Sequence, residues 1–232
     1  MPEKHAVEVE EGEHVATEHR KAVSDRWIFV CHGFGGHKER QEDILERANR
    51  EGFNAVGLDF RGNGESSGDF IEQTLSSRID DLEAVVDYFD PERFVLYGTS
   101  FGAKVVLHSL RDLEPESIAV KAPVTYNETM EKFRSVVEEK GEFEYIDGKP
   151  IDQRFIDDLD SHPFEDVSGK IDVPVAIFHG GSDETVHPEH SFRAAQEIDA
   201  DVMLQKYRGE EHSFTEKGKQ EMLDQMFDWL EL

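Results

Sequence analysis

Residues 93–113 admit few structures. Arg93-Phe-Val-Leu-Tyr97 is a short apolar run of strand type, and residues 101–113 read as an amphipathic helix. Between them stands Gly98-Thr99-Ser100-Phe101-Gly102, a G-x-S-x-G pattern. A chain that passes from strand to helix in so few residues must turn sharply. The serine backbone is then strained and its hydroxyl exposed, while glycines on either side leave room for close packing. The opening helix places its positive end beneath the serine, where it favours developing negative charge. An ordinary strand–helix turn with Ser100 as a helix cap is the plain alternative.

The rest of the chain alternates short β-branched or aromatic runs with longer amphipathic ones. That pattern predicts an α/β fold, a doubly wound and mostly parallel sheet with helices on both faces. Strands are expected near 26–32, 54–58, 93–97, 117–120, 171–179 and 201–207, and helices near 38–51, 74–89, 101–113, 188–198 and 214–231. A hairpin is expected over 5–10 and 14–18 with Glu11-Gly12 at its turn, and Gly52 is expected to cap a helix. A chain of 232 residues suits one domain, 1–232, with a small cap insertion at about 123–170.

Three further motifs follow predicted strands. His32-Gly33-Phe34-Gly35-Gly36 can aim a backbone N–H at a developing oxyanion, so Phe34 and Phe101, the residue after the serine, are the expected oxyanion donors. His32 itself is expected to buttress that loop. Asp183, in His179-Gly-Gly-Ser-Asp183-Glu-Thr-Val-His187, can orient a base, with Glu184 as its neighbouring competitor. His212, in Gly209-Glu-Glu-His212-Ser-Phe214, follows the last strand and can exchange a proton with Ser100. His187 and His190 lie too near Asp183 to be that base.

Together with Asp59-Phe-Arg-Gly-Asn-Gly-Glu-Ser66, these segments resemble the α/β-hydrolase superfamily over about residues 26–232. The resemblance is narrower to small serine esterases of the cinnamoyl/feruloyl esterase and monoacylglycerol-lipase-like groups. It implies the α/β-hydrolase fold, a triad in the chain order Ser100, Asp183, His212, oxyanion amides at Phe34 and Phe101, and a supporting role for the Asp59–Gly64 loop. The chain departs from such relatives in carrying Phe101 where a polar residue is frequent. The expected function is a serine hydrolase, a carboxylesterase for short or medium acyl or aryl esters. A peptidase, a thioesterase, an acyltransferase or perhydrolase on the same triad, or a binding protein on this scaffold, remain the alternatives.

Composition bears on partners. Asp and Glu number 52 against 25 Lys and Arg, a net charge of −27, which repels nucleic acid and anionic membranes. Sixteen Phe and 37% apolar residues point to a folded chain with a carboxylate-rich surface. Such surfaces suit high internal salt, where counter-ions screen self-repulsion. The protein is therefore expected to lose structure at low salt. Circular dichroism that is unchanged between molar and millimolar KCl would remove that expectation.

No 18-residue apolar stretch and no apolar leader are present, so no membrane insertion is expected, and the expected location is cytoplasmic. The single cysteine, Cys31, reads as a buried strand residue, a nucleophilic role being the lesser alternative. No cofactor and no metal are expected: there is no nucleotide-binding glycine motif, and the His/Asp cluster at 179–190 fits no zinc spacing. The expected partner is a small-molecule ester, and a homodimer is left open. Within 123–170, Tyr126, Met130, Phe133, Phe143, Tyr145, Phe155 and Phe164 can line a pocket or pack the segment onto the body, packing being expected for most. Its acids, Glu138, Glu139, Glu142, Glu144 and Asp147, favour neutral esters.

Overall fold

The computed structural model describes residues 2–146 and 148–231. The chain runs through β1 (Glu3–Glu10), β2 (Glu13–Arg20), β3 (Arg26–Cys31), α1 (Glu42–Arg50), β4 (Asn54–Asp59), α2 (Leu75–Phe89), β5 (Arg93–Thr99), α3 (Phe101–Ser109) and β6 (Ser117–Lys121). It continues through α4 (Glu131–Lys140), β7 (Glu142–Ile146), β8 (Lys149–Asp152), α5 (Gln153–Asp160), α6 (Glu165–Ser168), β9 (Val175–Gly180), α7 (Pro188–Glu197), β10 (Val202–Tyr207) and α8 (Glu216–Leu230). Eight strands form one sheet in the order β1-β2-β4-β3-β5-β6-β9-β10. The β1–β2 hairpin joins antiparallel to β4, and all other pairs are parallel. This is the α/β-hydrolase arrangement.

Strand alternation divides the core into two layers. Ile28 and Val30 of β3, with Val95 and Tyr97 of β5, pack beneath α1 and α8 through Ile44, Leu45, Met222, Met226 and Phe227. Phe29, Cys31, Leu96, Ile118 and Val120 point the other way, toward α2, α3 and α7. Such strands, apolar on both faces, are what a parallel sheet covered on both sides requires. Cys31 is fully buried, and burial pushes its thiol well above the usual range, so the nucleophile alternative lapses.

Boundaries differ from the sequence expectations in places with clear causes. The strand expected from 171 begins at Val175, because Pro174 has no N–H to give a ladder. The segment expected as helix from 38 opens with a 3-10 turn, Lys38–Gln41. There the Lys38 amide, which at a helix start has no intrahelical acceptor, donates to the Asp59 carboxylate at 2.6 Å. Gly52, at φ +86°, does end α1, and α2 stops at Asp90, left-handed at φ 46°, just before Pro91.

Candidate active site

Ser100 sits between β5 and α3 at φ 56°, ψ −119°, a region costly for any residue with a side chain. Three backbone hydrogen bonds hold it there. Its N–H donates to the Lys121 carbonyl at 2.8 Å, and its carbonyl accepts from the Ala103 and Val124 amides, both at 3.1 Å. The flanking glycines are sterically required. A Cβ on Gly98 would lie 2.6 Å from the Gly102 carbonyl oxygen, and one on Gly102 would lie 2.4 Å from the His32 carbonyl oxygen.

Asp183 and His212 reach the serine from the loops that follow β9 and β10. The Asp183 Oδ2 accepts from His212 Nδ1 at 2.7 Å, and His212 Nε2 stands 3.1 Å from Ser100 Oγ. A carboxylate on Nδ1 fixes the proton there, so Nε2 presents a lone pair to the hydroxyl. The other Asp183 oxygen accepts from the amides of Thr185 at 2.8 Å and Val186 at 2.9 Å. Burial alone would raise this carboxyl, but hydrogen bonds from His179, His212 and the Val186 amide hold it far below the ordinary carboxylate range. Glu184 is exposed, His187 is exposed, and His190 bonds Thr129, so none of the competitors reaches Ser100.

Phe101 opens α3, so its amide belongs to the first-turn donors without an intrahelical partner. The loop carrying Phe34 is closed by the Gly36 amide on the Gly33 carbonyl at 3.0 Å. It lies against the serine so closely that a Cβ on Gly33 would be 3.2 Å from Ser100 Cβ. The loop after β3 and the first turn of α3 thus meet at Ser100. His32 is buried and supports this loop: its Nδ1 donates to the Gly33 carbonyl at 2.8 Å, and its Nε2 accepts from the Phe60 amide at 3.2 Å. Burial takes it down to about 3, so it stays neutral. Asp59, fully buried, ties the neighbouring loop to Lys38 Nζ at 2.6 Å and to the Glu65 amide at 2.9 Å.

A cavity of about 520 Å³ opens onto Ser100 and His212, with Phe34, Lys121, Tyr145 and Ile146 in its wall. Most aromatics of 123–170 pack instead. Tyr126 meets Phe164, Phe133 stacks on Phe143 at 4.8 Å, and Phe155 lies against Phe34 and Phe101. Glu138, Glu139, Glu142 and Glu144 do not line the cavity, and Asp147 lies outside the described residues. Its charged lining is Arg40, Lys121 and Lys219 with Asp43 and Glu216, so the acidic segment gives no support at the cavity for a preference for neutral esters.

A family model described as serine aminopeptidase, S33, matches residues 22–140, more than half of the chain. The chain belongs to this hydrolase family. Among curated proteins, this S33-family chain is 25% identical over 174 residues to an uncharacterised protein of Mycobacterium tuberculosis, covering 72% of this chain and 56% of that one. It is also 25% identical over 189 residues to the human mitochondrial palmitoyl-protein thioesterase ABHD10, covering 74% of this chain and 61% of the relative. The chain thus spans less than two thirds of either relative's length. Among solved structures, the ferulic-acid complex of Est1E from Butyrivibrio proteoclasticus superposes with a TM-score of 0.86 at 21% identity, with 97% of each chain covered. Mouse ABHD10 gives 0.86 at 19% identity, with 99% and 98% covered. At these identities the structures show a shared fold.

Three residues of the S33-family chain escaped the sequence reading. His179 is buried, accepts from Ser191 Oγ at 2.6 Å, and turns Nε2–H toward the Val186 carbonyl at 2.9 Å and Asp183 Oδ2 at 3.2 Å. Its place four residues before Asp183, closing a strand, was the available signal. Lys121 Nζ donates to the His212 carbonyl at 2.7 Å and lies 4.5 Å above the Phe214 ring. Burial takes it down to about 8. Arg78, fully buried, is ringed by Phe34, Phe60, Phe70 and Phe101, its Cζ 5.2–5.8 Å from their centroids. Burial lowers it to about 10. Nothing in its local sequence distinguished it from a surface helix residue.

Proposed function

We propose that the chain is a serine hydrolase that cleaves carboxylic esters, of short or medium acyl or aryl type, through an acyl-enzyme. The unbroken hydrogen-bonded line from Asp183 through His212 to Ser100 carries this reading. Ser100 Oγ attacks the carbonyl carbon while His212 Nε2 takes its proton, and the Phe34 and Phe101 amides receive the oxyanion. As the tetrahedral adduct collapses, the imidazolium gives that proton to the departing alcohol. Water then adds to the acyl-enzyme with the same base and frees the acid. Asp183 holds the imidazole tautomer and balances its charge. A thioester substrate is the second reading, favoured by the likeness to a protein named as a palmitoyl-protein thioesterase.

The test is labelling with a fluorophosphonate, read by intact mass and peptide mapping in high-salt buffer. One adduct on Ser100, absent from Ser100→Ala, is expected. A matched panel of ester, thioester and aminoacyl substrates then separates esterase from thioesterase and peptidase. A folded wild-type protein that takes no adduct would remove the hydrolase reading in favour of a binding role.

A further inference from the structure

The β1–β2 hairpin gathers three metal-ligating side chains on one face, at the sheet edge opposite β10 and three strands away from β5 and its serine. Glu3 pairs directly across the ladder with His19, and His5, two residues along β1, shares the face with Glu3. A ligand atom of each lies within 4.8 Å of the others. We propose that Glu3, His5 and His19 form a binding site for a divalent transition-metal ion of the zinc class.

The neighbouring hydrogen bonds orient both imidazoles for this role. The Asn54 amide is held in one orientation, since its Oδ1 accepts from the Ala22 amide at 3.0 Å and its Nδ2 donates to the Ser24 carbonyl at 2.8 Å. Its oxygen therefore faces His19 Nε2, at 3.2 Å, and that nitrogen must be the protonated one. His19 is left with a lone pair on Nδ1. Stacking on Trp27, with centroids 5.0 Å apart, fixes the ring plane. On His5 the Nδ1 meets the Tyr88 hydroxyl at 3.2 Å, while Nε2 is buried and has no hydrogen-bond partner among the described residues. An imidazole with one nitrogen hydrogen-bonded to oxygen and the other bare is how histidines are presented to metals.

Glu3 completes the set. It is paired to Lys21 at 2.8 Å, but both side chains are largely exposed and such a pair is weak. Two imidazoles and a carboxylate, with water in a fourth position, suit zinc and disfavour magnesium or calcium, which take oxygen donors. Zinc bond lengths place ligand atoms roughly 3.3 Å apart, so the three must close by up to about 1.5 Å on binding, with the exposed Glu3 side chain free to supply its share. Bound there, the ion would staple the two edge strands. Spacing in the sequence hides the site, because its ligands are brought together by cross-strand register and not by a C-x-x-C or H-x-x-x-H motif.

The experiment uses the full, untagged chain stripped with chelator and titrated with zinc chloride, read by calorimetry and by competition with a chromogenic chelator. One site of micromolar or tighter Kd and a rise in Tm are expected. His5→Gln and Glu3→Gln should each weaken binding by about tenfold or more, as loss of a ligand does, and remove the Tm rise. Fluorophosphonate labelling of Ser100 should stay at the wild-type rate in both variants. Because the readout is binding, the result stands apart from the hydrolase reading. No saturable site, an equal response to magnesium, or zinc binding untouched by both variants would overturn the proposal.

Discussion

Asp183→Asn is expected to lower kcat by on the order of 10⁴ while leaving the fold in place. The effect follows from the donors around this one carboxylate. Oδ2 accepts from His212 at 2.7 Å and sits 3.2 Å from the protonated Nε2 of His179, and Oδ1 accepts from two amides. An asparagine has one oxygen for these demands, so both of its orientations fail. With its NH₂ toward His212, the imidazole must shift its proton to Nε2. It then donates to Ser100 Oγ instead of accepting from it, and the NH₂ also confronts His179. With the amide turned over, the NH₂ meets the N–H groups of Thr185 and Val186, and two buried donors lose their acceptor at a cost of about 1–3 kcal/mol each.

The first orientation abandons general-base catalysis and the second strains the turn. The first leaves the Thr185 and Val186 amides satisfied and is the expected one, so Ser100 should react with fluorophosphonate far more slowly than in wild type, at unchanged circular dichroism in high salt. A loss of less than about tenfold would show that the Asp183–His212 contact does not govern the base.

The main architecture was legible because strand and helix runs differ in period and are punctuated by Gly and Pro. Ser100, Asp183 and His212 were legible for a topological reason: each lies just past a strand end, and parallel strands deliver such loops to one edge of the sheet. What escaped depends on contacts between distant segments. Arg78 is read from sequence as one more helix cation, since its ring of phenylalanines comes from three other parts of the chain. Lys121 reaches the His212 carbonyl across 91 positions. The first turn after His37 was read as α-helix because the sequence does not distinguish a 3-10 opening turn, Lys38–Gln41, from the α-helix that follows it. The acidic stretch of 123–170 suggested a charged rim because sequence gives charge without direction.

Gly102→Ala is the second large effect, and its cause is steric. The added methyl carbon would stand 2.4 Å from the His32 carbonyl oxygen and 2.6 Å from that of Cys31. Both are backbone atoms at the end of β3, with no flexible side chain to yield, so α3 and the His32–Gly36 loop must move apart. That loop carries the Phe34 amide and α3 begins with the Phe101 amide, so on the proposed mechanism their separation would take one oxyanion donor from its working position. The expected loss in kcat is on the order of 10²–10³, with overpacking destabilising the protein by about 1–3 kcal/mol.

Gly52→Ala supplies the control. Gly52 has φ +86° and nothing within 4 Å of a built Cβ, so alanine there costs about 1–2 kcal/mol of backbone strain without touching the serine. The two variants should therefore be similar in urea midpoint yet differ by at least a hundredfold in ester turnover. Equal turnover in both would mean that the distance between the Phe34 loop and the start of α3 is not what activates the carbonyl.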